Sequence, residues 1–328
     1  MSAAGGGALT VTAPDSVPEV APGSDLAALL LEALGPGALL DGDVLVVTSK
    51  VVSKAEGRVV TGEREDWIGR ETQRLVAVRG ATRIVRNRLG LTMAAAGIDA
   101  SNVAGGSLVL LPEDPDASAR RLRAAVAEQA GVNVGVVITD TAGRAWREGQ
   151  TDIAIGAAGL VVLESFAGRV DAHGNELAVT APAVADEIAS AVELAQGKLA
   201  GRPCAVLRGR PDLVLPAGDD GPGAAALVRA EGADLFGYGA REAVVRAVAA
   251  DPGDRAPFGS PVGPDELVAA LARAGITART DTRAGASSVL AAADRRVAVD
   301  IVAFAHGWAV APDDTGVGTD LRLSPVSP

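Results

Sequence analysis

The sequence predicts a layered fold of helices packed on strands, α/β or α+β, and three observations carry that prediction. Helical and strand patterns alternate irregularly along the 328 residues, with no repeat of fixed period, which argues against a bundle or a sandwich. The clearest helical stretch, "APAVADEIASAVELAQGKLAG", sets Val184, Ile188, Ala191, Val192 and Ala195 on one stripe. The apolar runs "DVLVV", "VGVVI" and "CAVL" are short and lie near turn residues, as buried strands do.

Taken in order, residues 1–8 read as a flexible lead, and 9–13 alternate like a short strand. A helix is expected over Asp25–Leu34, with Ser24 as its cap and Gly35-Pro36 as its stop. A turn then feeds the buried strand of "GDVLVVTSKVV". A helix over Asp66–Val78 and a short strand, "TRIVRN", follow. "LTMAAAGIDASNVAGGS" is a small-residue loop carrying Asp99, Ser101 and Asn102. "SLVLLPEDPDASARRLRAAVAEQAG" gives a strand, a Pro-Asp turn and a helix ending at Gly131. After the 183–197 helix come the strand "CAVLRG" and the long loop "RPDLVLPAGDDGPG". Helices are expected over 224–230 and 240–250. The linker "DPGDRAPFGSP" separates an expected first domain, 1–252, from residues 253–328, which hold one helix (Pro264–Ala274) and one apolar run (Val297–Ala305).

Composition narrows the function. Hydrophobic residues make up 48% of the chain but aromatics only 2%, so Ala, Val, Leu and Ile must build the core. A net charge of −11 argues against nonspecific binding to nucleic acid, while leaving room for a small anionic ligand held by local cations. Cys204 is the only cysteine, so no intrachain disulfide can form and a reducing compartment fits. "MSAAGGGALT" lacks a signal peptide's basic start and long apolar core. A cytoplasmic protein without a membrane partner is the expectation.

The chemistry-bearing residues cluster around "ITDTAGRAWREGQTDIAIGAAG". Here an apolar run stops at Asp140 and Thr141, and Arg144, Arg147 and Gln150 follow. A carboxylate at a strand end suits a hard cation such as Mg²⁺ or Mn²⁺, although "TDTAG" by itself is better explained as turn chemistry. Asp99 in "GIDASN" has the same two readings: ligand, or turn and helix cap. Arg144 and Arg147 could fork onto phosphates or carboxylates, or form a solvated pair. "TSKVVSKAEG" places Ser49, Lys50, Ser53 and Lys54 just beyond a buried strand, where a lysine could meet a phosphate. Neither G-x-x-x-x-G-K-[ST] nor G-x-G-x-x-G after a strand occurs, so a nucleotide site here is of another kind. Asp219 and Asp220 form an acidic loop that could close over a metal-nucleotide complex or simply face solvent. With two histidines, His173 and His306, a His-rich zinc centre is excluded. Cys204, opening an apolar strand, reads as a small core residue.

Six blocks, "SVPEV", "DGDVLVVTSKVVSKAEGR", "RNRLGLTMAAAGIDASNV", "VGVVITDTAGRAWREGQTDIAIGAAGL", "GNELAVTAPAVADEIASAVELAQGKL" and "AVLRG", occur in the order found in the coenzyme F(420)-0:L-glutamate ligase family. The chain resembles that family over roughly residues 10–250. The resemblance implies an α+β fold with a mixed sheet, assembled as an intertwined homodimer, and a GTP-dependent amide ligase. The small-molecule partners implied are F(420)-0 and L-glutamate. Glutamate would be joined to the phospholactyl carboxylate through an acyl phosphate, and further γ-linked glutamates could follow. Carried over by motif, Asp99 and Asp140 match ligands of a first Mg²⁺ or Mn²⁺, and Thr141 a contact to a second. Val17, Pro18, Glu19, Val20, Ser49, Lys54 and Asn102 match GTP contacts. Arg144, Arg147 and Gln150 are added as substrate or phosphate contacts, Asp219 and Asp220 as loosely aligned metal candidates, and K⁺ as an optional further cation. The chain departs from some relatives at its end: the part after the linker is too short for a fused FMN-binding domain. A metal-dependent phosphohydrolase and a noncatalytic nucleotide- or F(420)-binding protein are the alternatives.

Overall fold

The computed structural model describes residues 7–101, 105–234, 236–281, 288–311 and 320–326. Its elements run β1 (Thr10–Thr12), α1 (Leu26–Leu34), β2 (Val44–Thr48), α2 (Ser49–Ala55), β3 (Val59–Thr61) and α3 (Arg64–Glu71). Next come β4 (Thr72–Arg79), β5 (Thr82–Asn87), β6 (Thr92–Ala94), β7 (Ser107–Val109), α4 (Pro115–Ala130), β8 (Gly135–Arg144) and β9 (Arg147–Ala158). Then follow β10 (Arg169–Val170), β11 (Glu176–Leu177), α5 (Val184–Gln196), β12 (Cys204–Arg208), α6 (Ala240–Ala249) and α7 (Pro264–Arg273). The last are β13 (Ala278–Asp281), β14 (Ser288–Ala292), α8 (Arg296–Ala305), β15 (Trp308–Val310) and β16 (Asp320–Pro325). Packing groups them into two compact units, residues 1–74 with 85–228, and residues 75–84 with 229–328.

The first unit centres on a mixed sheet in the order β1-β12-β2-β8-β9, with β2 and β8 parallel and the other neighbours antiparallel. The fold is therefore α+β. Both faces of the sheet are covered, which is why its central strands read as unbroken apolar runs. Leu45, Val47, Val136 and Ile138 pack with Leu30 of α1 and with Leu122 and Val126 of α4. Val44, Val46, Val137, Ala205 and Leu207 pack with Val184, Ile188 and Val192 of α5.

Several local expectations change in detail. Asp25, not Ser24, caps α1, accepting from the Ala28 N–H at 3.0 Å, while Ser24 accepts from Ala21. The helix expected over 66–78 stops at Glu71, whose carboxylate is gripped by Arg58 and Arg88. The β-branched Thr72, Val76 and Val78 that follow favour the extended β4. The helix expected over 224–230 is a single 3₁₀ turn, Ala224–Leu227, anchored by Asp116 accepting from the Ala224 and Ala225 N–H groups.

α4 lies so close to β9 that the contact requires glycine. A Cβ on Gly156 would stand 2.5 Å from the carbonyl oxygen of Pro115. Gly156→Ala is expected to cost about 2 kcal/mol through the forced shift, read as a lower urea midpoint with an unchanged slope.

The second unit has its own core. The sheet β13-β14-β16-β15 is antiparallel throughout. Leu267 and Leu271 of α7 and Val299 and Ala303 of α8 pack with Val289, Trp308, Leu321 and Leu323. The Trp308 indole donates to the Val262 carbonyl at 2.9 Å, so its polar edge is satisfied inside the core. Among the described residues, no helix is long and apolar enough to cross a membrane.

Candidate active site

The abrupt polar stretch after Ile138 has a structural cause different from the expected strand end. β8 continues to Arg144, but its register on β9 shifts at Ile138/Thr139. Residues 140–143 then line an open cavity of about 630 Å³. Asp140 and Thr141 therefore lie within a strand, rigidly held, with a face toward that space.

Besides β8 and β9, the cavity is bordered by the 17–20 segment, the 48–54 end of β2 with α2, Arg64 of α3, the 93–101 loop, and the 193–203 end of α5 with the turn after it. Three lysine–carboxylate pairs line it. Lys54 donates to Glu19 at 2.8 Å. Lys50 sits 2.7 Å from Asp99 and 2.8 Å from the Ser101 hydroxyl. Lys198 reaches Glu193 at 2.9 Å, Asp152 at 3.3 Å and the Thr141 hydroxyl at 2.7 Å. The wall thus offers both ammonium groups for anions and carboxylates for cations.

Asp140 is the least comfortable of these groups. Its carboxylate keeps a partly exposed face to the cavity, yet protein atoms crowd it elsewhere. Burial pushes its pKa up to about 7, a 3.1 Å bond from the Ser49 hydroxyl opposes the rise, and the charges of Asp152 and Asp99 add to it. Asp99 moves the other way: burial raises it, but hydrogen bonds from Lys50 and Ser101 and the Lys50 charge outweigh that, leaving a net lowering. Burial lowers the Lys198 pKa, and its bonds to Glu193 and Asp152 overcome this, so its ammonium is strongly retained.

A divalent cation fits this arrangement in part. Among the described residues, no three His, Cys, Asp or Glu side chains stand together as a ready-made metal cage. The site instead offers Asp140, crowded and repelled by two neighbouring carboxylates, with Asp99 on the same wall. Mg²⁺ and Mn²⁺ take one or two carboxylates and complete their shell with water and phosphate oxygens. Asp99, Asp140 and the Thr141 hydroxyl are the groups that would hold such an ion.

Val17, Pro18, Glu19, Val20, Lys54, Asp99, Asp140, Thr141 and Gln150 all line the cavity, and Ser49 stands behind Asp140. Asn102 falls outside the described residues. Arg144 and Arg147 are not on this wall. They flank the exposed tip of the β8–β9 hairpin, where Arg144 donates to the Glu148 carbonyl at 2.8 Å. Asp219 and Asp220 are also absent from it: Asp220 pairs with the buried Arg123, and Asp219 accepts from the Gly221 N–H. Sequence reasoning assigned no role to Asp152, Glu193 or Lys198. Asp152 is legible only through hairpin register, which sets it opposite Thr141. Lys198 carries no local signal.

A sequence model described as F(420)-0:gamma-glutamyl ligase matches residues 15–65 and 66–209. Three similar curated proteins are each named coenzyme F(420):L-glutamate ligase. The one from Methanopyrus kandleri is 40% identical over 241 residues, 66% of this chain and 93% of the relative. That from Archaeoglobus fulgidus is 40% identical over 215 residues, covering 60% and 85%. That from Methanothermobacter thermautotrophicus is 36% identical over 220 residues, covering 60% and 87%.

Proposed function

Because this chain belongs to the F(420)-0:gamma-glutamyl ligase family, we propose that it joins L-glutamate to the phospholactyl carboxylate of F(420)-0 at the expense of GTP. The observation that carries this is the cavity wall, which brings Asp99 and Asp140 together with Lys50, Lys54 and Lys198 inside the matched region. A free carboxylate is a poor acyl donor, so a phosphoryl group must first supply a leaving group. A carboxylate oxygen of F(420)-0 attacks the γ-phosphorus, the bond to the bridging oxygen breaks, and GDP departs. The glutamate nitrogen, having lost a proton, forms a C–N bond at the acyl carbon. The C–O bond then breaks, phosphate leaves with the electron pair, and the nitrogen sheds a second proton.

In this reading Glu19 and Lys54, with Val17, Pro18 and Val20, border the nucleotide, and Lys50 and Lys54 face its phosphates as compensating charge. Asp99, Asp140 and Thr141 would hold Mg²⁺ or Mn²⁺, which would offset negative charge on the transferring phosphoryl. Ser49 keeps Asp140 oriented through its hydroxyl bond. Further γ-linked glutamates, a homodimeric working form, a 1–252 ligase domain and a cytoplasmic location belong to the same proposal.

The test is incubation with F(420)-0, GTP, Mn²⁺ and L-glutamate, followed by mass spectrometry and nucleotide analysis. A ligase adds one glutamyl residue per cycle and releases GDP and phosphate in equal amounts. GTP hydrolysis with no new amide makes the protein a phosphohydrolase; nucleotide binding without turnover makes it a binding protein.

A further inference from the structure

Two of the three lysine–carboxylate pairs on the cavity wall are engaged by the proposed reaction. Glu19–Lys54 borders the nucleotide, and Asp99–Lys50 belongs to the cation site. The third, Glu193–Lys198 with Asp152, is given no ligand there and meets the cation site through the Thr141 hydroxyl. Its geometry is specific. Glu193 lies in the last turn of α5, the helix stops at Gly197, and the chain folds back so that Lys198 meets Glu193 and Asp152. The ammonium rests in a socket of three oxygens, from Glu193, Asp152 and the Thr141 hydroxyl.

Resting on the ligase reading above, we propose that Glu193, Asp152 and Lys198 form the subsite for the incoming amino acid: the two carboxylates receive its ammonium group and Lys198 receives one of its carboxylates. Free glutamate carries one ammonium and two carboxylates, so its ammonium can take the place of Lys198 between Glu193 and Asp152 while Lys198 pairs with one of its carboxylates. The exchange leaves none of the protein's own three charges on this partly buried wall unpaired. The exposures suit that exchange. The Asp152 and Glu193 side chains are 6% and 23% exposed, a fixed receiving surface, while Lys198 at 59% is free to swing. The location suits it as well. Asp152 stands opposite Thr141 in the β8–β9 register, one residue from Asp140, so an amine held there lies beside the proposed phosphoryl-transfer centre.

Steady-state kinetics on the full chain test this, varying glutamate and GTP separately. Lys198→Gln and Glu193→Gln should each raise the KM for glutamate at least about tenfold, as losing a charged hydrogen bond does, and leave the KM for GTP within about twofold. Lys198→Arg, which keeps the charge, should restore most of the glutamate KM. Melting temperatures should stay within a few degrees of wild type, since both groups sit at the end of a helix rather than in its core. An unchanged glutamate KM in both Gln variants, with an active wild type, overturns the subsite alone. So does a GTP KM that rises in step with that for glutamate. A wild type that makes no glutamyl product overturns the ligase reading, and the subsite with it.

Discussion

Asp140→Asn is expected to abolish ligase turnover, by about a thousandfold or more, and yet to make the metal-free protein more stable than wild type at pH 8. Both effects come from one cause. Burial and the charges of Asp152 and Asp99 raise the Asp140 carboxyl from 3.8 to about 7, so its ionised form is costly in the folded state. The rise corresponds to about 4 kcal/mol, an upper bound because one face opens to the cavity. The sign follows from the direction: with the folded value above the unfolded one, the penalty is full above pH 7, shrinks as pH falls through the interval from 7 to 4, and is gone below it. Asparagine keeps the shape and can still accept from Ser49 without the charge. Its advantage in urea denaturation with chelator should therefore be largest at pH 8 and fade toward pH 4. Adding Mn²⁺ should stabilise the wild type and leave the variant unmoved. A variant less stable than wild type at pH 8 would show that no such electrostatic strain is stored there.

Arg123→Ala is expected to cost about 3–5 kcal/mol of folding stability. Arg123 is 5% exposed on α4, and its guanidinium ties together six acceptors from three parts of the chain. It donates to the carbonyls of Val134, Asp219, Leu215 and Pro216 and to the side chains of Asn133 and Asp220, at 2.7–3.1 Å. Gly159 makes room for it: a Cβ there would stand 2.2 Å from the Arg123 Nε. Lysine cannot reproduce that fork, so Arg123→Lys should recover little. Chemical denaturation measures the loss, and limited proteolysis should show new cleavage at 215–222. Wild-type stability in Arg123→Ala would mean that water satisfies those carbonyls as well as the guanidinium does.

What the sequence disclosed and what it hid divide along physical lines. Val44–Val47 and Val134–Ile138 were legible as strands because burial on both faces leaves an unbroken apolar run, and α5 because burial on one face leaves a stripe. The break at Thr72 was not, since ion pairs at Glu71 with residues 13 and 17 positions away fix it. The sheet of the second unit was hidden by the brevity of its strands. At the site, Asp99, Asp140 and Thr141 stood out by motif, and the structure brings them to one cavity. Arg144 and Arg147 looked equally placed by sequence distance, but a hairpin carries them to its tip. Arg123 was indistinguishable from Arg120 and Arg121, because only the fold shows which of three arginines turns inward. Asp152 and Lys198 depend on cross-strand register and a fold-back after a helix, neither of which leaves a spacing in the chain.

Manganese binding in the presence of GTP tests most directly whether Asp99 and Asp140 grip one cation against nucleotide phosphate. Electron paramagnetic resonance of the wild type with Mn²⁺ and GTP should show bound metal with phosphorus coupling. Asp99→Asn and Asp140→Asn should each weaken Mn²⁺ binding at least about tenfold. Undiminished Mn²⁺ affinity in both variants, or bound metal without phosphorus coupling, would contradict it.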